Sequence, residues 1–272
     1  MNERYVIPSL DRAIRVLEYL SEAPRGLTLA DMGRMSEIPK STLFRILVTL
    51  QQRHCVTWHE RERVYRLGSR LWELGNRFLD QSDLYPVASR HMEALAERSG
   101  ETVFLGTLED GEIIYLRRVE SPKSITIVKN LGQRVPAHCT ATGMAVLAFL
   151  PEEEVDAIWD LHGLEAYNEV TVIDRETLKQ RLEQIRRDGY AVVDGEYNRE
   201  LLCISAPIFD HTRYPRASLT VAMLTSQTDA ERVRKVARMI QEAVQEVSRS
   251  MGYLGSRKAG AARHQLTTTA SE

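Results

Sequence analysis

The sequence predicts an α+β protein in two parts. The first is a small helical unit carrying a β-hairpin; the second is a larger unit in which helices flank an antiparallel sheet. Three observations predict this. Residues 27–52, LTLADMGRMSEIPKSTLFRILVTLQQ, hold two short amphipathic helical patterns joined by a tight turn. Two short runs rich in β-branched and aromatic residues follow, bracketing a charged tip. Beyond residue 83, strand-like runs joined by turn signals are interleaved with helical stripes.

Each element has its own signal. Ser9 precedes a helical stripe of Leu10, Ala13, Ile14, Leu17 and Leu20, ended by Pro24-Arg25-Gly26. Thr28 followed by Asp31 reads as a capping pair for a second helix that turns Leu29 and Met32 inward. Ser36-Glu37-Ile38 makes the turn, and Pro39 suits the first position of a third helix burying Leu43, Ile46, Leu47 and Leu50. Residues 55–58 and 64–67 read as strands of a hairpin, or wing, around His59–Arg63. Two helices joined by a turn and followed by a wing make a winged helix-turn-helix. Leu71, Leu74 and Phe78 continue as a connecting helix, broken at Gln81-Ser82-Asp83.

The second part opens with a helix over about 86–98, closed by Gly100. Strands over 102–108 and 113–119 flank a hairpin turn at Glu109-Asp110-Gly111. Residues 124–129 read as a further strand, and 139–149, CTATGMAVLAF, as a small-residue helix. Helices near 152–161 and 174–187 follow, the second ended by Gly189. Strands over 190–193, 202–209 and 217–224 precede a long amphipathic helix from Val233 to Met251. The organisation is therefore a winged helix-turn-helix over 1–68, a linker helix over 69–82 and a sheet-containing unit over 83–253. The tail, 254–272, is rich in Ala, Thr and Ser and is expected to be disordered.

Composition excludes several classes. The 272 residues are 43% hydrophobic and 27% charged, enough apolar material for two cores. No apolar run approaches the ~18 residues of a membrane span, and the first residues hold no apolar leader segment, so no membrane partner is expected. Cys55, Cys139 and Cys203 are few, scattered and odd in number, which fits a reducing cytoplasm. Net charge is −2, but residues 1–80 carry 13 Lys and Arg against 10 Asp and Glu, while the remainder carries 23 against 28. A mildly basic first part suits double-stranded DNA as its partner.

A recognition helix must bring donors to base edges and phosphates from its exposed N-terminal turns. Lys40, Ser41, Thr42 and Arg45 have that chemistry at that place. Arg45 can pair with guanine through two donors, and Ser41 and Thr42 can bond phosphate. Arg61, Arg63 and Arg66 of the wing, and Thr28, are candidates for flanking phosphates. The plainer reading of each is a solvated helix face. Dimerisation follows from the DNA reading, because one recognition helix reads few base pairs and a palindromic operator needs two; the Leu10–Leu20 helix is the candidate dimer contact.

The stretches SLDRAIRVLEYL, LTLADMGRMSEIPKSTLFRILVTLQ, the wing ending YRLG, VPAHCTATGMAVLA and GYAVVDGEYNRELLCISAPIFD, in this order, resemble the IclR family of bacterial transcriptional regulators over nearly the whole chain. The resemblance implies a C-terminal effector-binding domain related to the GAF and PAS sensors, a homodimer or homotetramer, and a small organic acid or aromatic metabolite as effector. No cofactor is expected, and no metal, since a metal site would need more ligands at suitable spacing than His138, Cys139 and Cys203 offer. It places Ala141 and Thr142, followed by Gly143, at the helix start whose backbone N–H groups grip a ligand carboxylate. It places Cys203 and Thr220 in the pocket wall, and Asp194 next to Val193, where some members carry an acidic pocket residue. Departures are Glu37 for a turn glycine, Met144 for a lysine, Glu200 for a glycine, and apolar Val193 and Ala222 for polar pocket residues. The loss of two polar side chains predicts an effector less polar than a very small keto acid.

Two other readings compete. An enzyme would use Cys139 or Cys203 with His138, but sequence neighbours such as His138 and Cys139 often point apart, and no nucleophile elbow surrounds either thiol. Small buried cysteines more often serve as core. A protein-interaction adaptor with a degenerate helix-turn-helix would enrich no DNA sequence. Glu196, Arg199 and Glu200 read most simply as a solvated loop.

Overall fold

The structure is a computed structural model and describes residues 5–36, 38–80, 83–120 and 131–254. Glu37, the expected strand over 124–129 and the tail from residue 255 lie outside the described residues. The chain divides into two compact units, Met1–Ser82 and Asp83–Glu272.

In the first unit, α1 (Pro8–Ser21), α2 (Leu29–Met35) and α3 (Lys40–Gln52) surround a core of Val16, Leu20, Met32, Leu43 and Leu47, joined by Val56 and Tyr65 of the wing. The Thr28–Asp31 pair forms a capping box: the Asp31 N–H donates to the Thr28 hydroxyl at 3.1 Å, and the Thr28 N–H returns a bond to the Asp31 carboxylate at 3.1 Å. Pro39 sits one residue earlier than expected. Its ψ of 138° is extended, so it is the N-cap, and its carbonyl accepts the Leu43 N–H at 2.9 Å. The wing strands β1 (Val56–His59) and β2 (Val64–Leu67) pair antiparallel. Reciprocal backbone bonds between Leu27 and Tyr65, at 3.0 and 2.8 Å, tie the wing to the helices. Gly26 beside that bridge has φ +80°, and a Cβ there would lie 2.6 Å from the Tyr65 carbonyl oxygen. Helix α4 (Ser69–Asp80) follows.

The second unit is a six-stranded antiparallel sheet. Its strands are β3 (Thr102–Glu109), β4 (Glu112–Val119), β5 (Arg134–Pro136), β6 (Ala191–Asp194), β7 (Leu201–Phe209) and β8 (Pro215–Leu224), in the order β5-β4-β3-β8-β7-β6. Three-residue β5 was not expected: it is short and ends in proline, so it has no alternating pattern. The β3–β4 loop is Asp110-Gly111, both with positive φ (53° and 84°), as a two-residue hairpin demands. Period-two alternation separates two cores. On β8, Ala217, Leu219, Val221 and Met223 pack with α5 (Leu84–Ser99) and α9 (Ala230–Ser250). Ala222 faces the other side, where α6 (Ala141–Leu147), α7 (Glu152–His162) and α8 (Arg175–Asp188) pack. With both faces covered, β7 and β8 read as nearly continuous apolar runs.

Helix α5 starts at Leu84, two residues before the expected start, with Pro86 in its first turn, where no N–H is required. Helix α6 is shorter than expected, because Thr140 caps it and Cys139 precedes it.

Candidate functional site

The first unit presents polar side chains on the exposed side of α3. With Leu43, Ile46 and Leu47 turned into the core, Lys40, Ser41 and Arg45 are exposed on the opposite side of α3, and Thr42 is half-buried at its flank. Arg61 and Arg63 are exposed at the wing tip, where Arg63 adopts φ 55°. Two other expected contacts have structural work. Thr28 also donates its hydroxyl to Asp31 at 2.6 Å. Arg66 donates through Nε and Nη2 to the Arg25 carbonyl, at 3.2 and 3.0 Å, and pairs with Glu62. Its guanidinium fastens the wing to the turn after α1.

The second unit holds a narrow cavity of about 20 Å³, room for about one water, between the sheet and the loops at its α6 side. Tyr115, Thr142, Val193, Cys203 and Thr220 form walls; Cys139, Thr140 and Ala141 line it from the start of α6; Glu196, Tyr197, Asn198 and Leu201 come from the β6–β7 connection and the start of β7. Ala141, Thr142, Cys203 and Thr220 therefore line one cavity.

Their hydroxyls are bonded to one another. Ser205 donates to the Leu219 carbonyl at 2.8 Å, and Thr220 donates to Ser205 at 2.9 Å. A hydroxyl has one proton, so Thr142 donates to Thr220 across 2.7 Å and Tyr115 to Thr142 across 3.2 Å. The chain joins β4, α6, β8 and β7 and fixes the polar wall. Gly106 makes room for it, since a Cβ there would lie 2.6 Å from Thr142 Cγ2.

Two residues expected at the effector, Asp194 and Gly143, lie outside the cavity lining. Asp194 does not line the cavity. Adjacent strand residues point to opposite faces, so with Val193 on the cavity side Asp194 turns away, and its carboxylate accepts from the Thr225 hydroxyl at 2.8 Å. Gly143 offers no unused N–H, because it donates to the Thr140 hydroxyl at 3.3 Å. It is glycine because a Cβ would lie 2.2 Å from the Ala137 carbonyl oxygen. Glu196, expected in a solvated loop, is instead a buried lining residue. Arg181 of α8 donates to both its oxygens, at 3.0 and 2.7 Å, and its backbone carbonyl accepts from Thr171 and Asn168. The signal for it was Gly195 after a strand, with φ +73°, which folds the chain back over the sheet. Tyr115 was also missed; it lies in step with inward Ile113 on β4.

His138 lines a separate cavity with Trp159, His162 and Tyr167, and its Nε2 is 3.0 Å from the Glu165 carbonyl oxygen. Burial pushes its ring below the ordinary histidine range. It therefore faces a different space from the one lined by Cys139 and Cys203. Among the described residues no cluster of His, Cys, Asp and Glu could hold a metal, and no helix is long and apolar enough to cross a membrane.

A winged helix-turn-helix unit joined to a sheet unit with an internal cavity defines a ligand-responsive class of DNA-binding transcriptional regulator. Residues 9–59 match the model of the IclR helix-turn-helix domain, and residues 76–249 match that of the bacterial transcriptional regulator IclR C-terminal domain. The chain belongs to the IclR family. It is 30% identical to the transcriptional repressor IclR of Escherichia coli K12 over 90% of each chain. An IclR regulator structure from Alicyclobacillus acidocaldarius superposes with TM-score 0.82 at 30% identity, covering 91% of this chain and all (100%) of that one. An IclR homologue from Microbacterium hydrocarbonoxydans, solved in complex with 4-hydroxybenzoate, gives TM-score 0.78 at 27% identity over 89% of this chain and 98% of that one.

Proposed function

We propose that this chain acts in the cytoplasm as a homo-oligomeric transcription factor that reads a palindromic operator through α3. A small aromatic or longer-chain organic acid that binds at this narrow cavity, widening it on entry, modulates that binding. The observation that carries the reading is the exposed Lys40–Ser41–Arg45 face of α3 inside a complete helix-turn-helix and wing. Arg61 and Arg63 supply flanking phosphate contacts, with smaller contributions from Thr28, Thr42 and Arg66.

The lining supports an effector of limited polarity. Glu196 is its one charged member among the described residues, and Arg181 matches it. Val193, Leu201 and Cys203 form the apolar wall. The backbone N–H groups of Ala141 and Thr142 are the donors proposed for the acid group, and Tyr197 the face for a ring. The 4-hydroxybenzoate-bound homologue makes an aromatic hydroxy acid the first compound to test. A regulator needs no turnover, and His138, with its Nε2 at a backbone carbonyl and in a cavity apart from both thiols, supports that reading.

Dimerisation has support in α1, where Leu10 and Ile14 remain 57% and 50% exposed although they continue the helix's apolar stripe. Leu10→Glu with Ile14→Glu is expected to shift sedimentation toward a smaller species and to weaken binding to a palindrome far more than to a single half-site. The central test is a selection of binding sites from random duplexes with the full chain, with and without aromatic acids, followed by thermal shift on the same compounds. Enrichment of a palindrome whose affinity responds to a stabilising acid is expected; no enrichment overturns the DNA reading.

A further inference from the structure

The polar face of α3 has an apolar strip through its middle. Phe44 and Val48, one turn apart, remain 51% and 36% exposed. Ser41 and Arg45 lie beside them on the solvent side, while Leu43, Ile46 and Leu47 fill the core. The fold gives no reason for this strip. Neither side chain belongs to the first unit's hydrophobic cluster. Valine and phenylalanine are poorer helix formers than the alanine, lysine or glutamate common on solvated helix faces. The two positions therefore carry a propensity cost and a solvation cost that folding does not recover.

We propose that Phe44 and Val48 are specificity-determining residues that contact thymine C5-methyl groups in the operator major groove. The inference rests on the reading of α3 as the recognition helix. The occupant follows from the setting. The strip is flanked by Lys40, Ser41 and Arg45, so whatever covers it must be anionic at its rim and locally apolar at its centre. The thymine methyl is the apolar group on the major-groove base edges, and it sits between phosphate backbones. Arg45 then reads guanine while its neighbours read an adjacent thymine, giving a half-site with both bases close together.

The test uses the full chain and the duplex enriched by selection. Each thymine is replaced singly by deoxyuridine, which removes the methyl and leaves every hydrogen-bonding edge in place. For the unaltered protein, one or two thymines per half-site are expected to lose about threefold to tenfold in affinity, the scale of one buried methyl or a little more. Val48→Ala is expected to remove that sensitivity at one position, binding thymine and uracil alike, and to keep the fold, since alanine is the better helix former. Arg45→Ala is expected to keep the methyl sensitivity while losing guanine preference. Tight binding with no sensitive thymine overturns this inference alone, as does sensitivity that persists in both Val48→Ala and Phe44→Ala. A change of oligomeric state in Val48→Ala without DNA overturns it in favour of a second copy covering the strip. Failure to enrich any sequence overturns the reading of α3 itself, and this inference with it.

Discussion

At the scale of single residues, the two sites were legible to different degrees for one geometric reason. On a helix a residue's face follows from several neighbours, so an error of one position at Pro39 left Lys40, Ser41 and Arg45 exposed as expected. On a strand a step of one reverses the face. That parity excludes Asp194 from the cavity and keeps Val193 in it. Glu196 carried only the turn signal of Gly195, because its burial also depends on Arg181, which approaches from α8. Two predictions belong here. Arg45→Ala should weaken operator binding roughly tenfold to a hundredfold, measured by gel-shift titration, with an unchanged melting temperature because the side chain is exposed. Thr142→Val keeps the shape that Gly106 accommodates but breaks the hydroxyl chain, depriving Tyr115 of an acceptor and Thr220 of a donor. It should cost about 1–3 kcal/mol in denaturant unfolding of the full chain; an unaltered midpoint would show that the chain does not brace the wall.

At the scale of elements, caps and turns carried the most information. Thr28, Gly100, Gly111 and Gly189 each mark a boundary that the structure keeps, because each answers a local hydrogen-bonding or φ requirement. β5, which has no such punctuation, was missed, and the start of α6 was placed two residues early although Thr140 caps it. The α2 cap gives a pH prediction. The Thr28 hydroxyl and backbone N–H, then Arg34, hold the Asp31 carboxyl below its ordinary range. A depressed folded value means that the cap contributes fully above the unfolded pKa, about 3.9, and is lost as pH falls through the still lower folded value. Acidification from pH 5 to pH 3 should therefore destabilise the first unit more in the native chain than in Asp31→Asn, whose cap does not titrate. Chemical denaturation at the two pH values reads the difference directly; equal losses would show that the capping carboxylate makes no contribution in this window.

At the scale of the whole molecule, the α+β class was readable because both sheet faces demanded cover. The coupling between the units was not readable, since it is a difference between two states. Helix α4 follows the wing in sequence and leaves Trp72, Leu74 and Phe78 exposed at 74%, 46% and 56%. Such a helix has little packing within its own unit to hold one position, so a modest differential affinity can bias it. If an acid in the cavity changes operator affinity by some factor, linkage requires the operator to change affinity for that acid by the same factor. The expected range is about fivefold to 150-fold. Titrating the acid into the protein calorimetrically, with and without saturating operator duplex, gives one factor. Titrating operator with and without saturating acid gives the other. Equal factors are expected. An operator affinity that moves while acid affinity stays fixed would mean that the acid acts somewhere other than through one shared equilibrium, and the cavity would lose its place as the regulatory site.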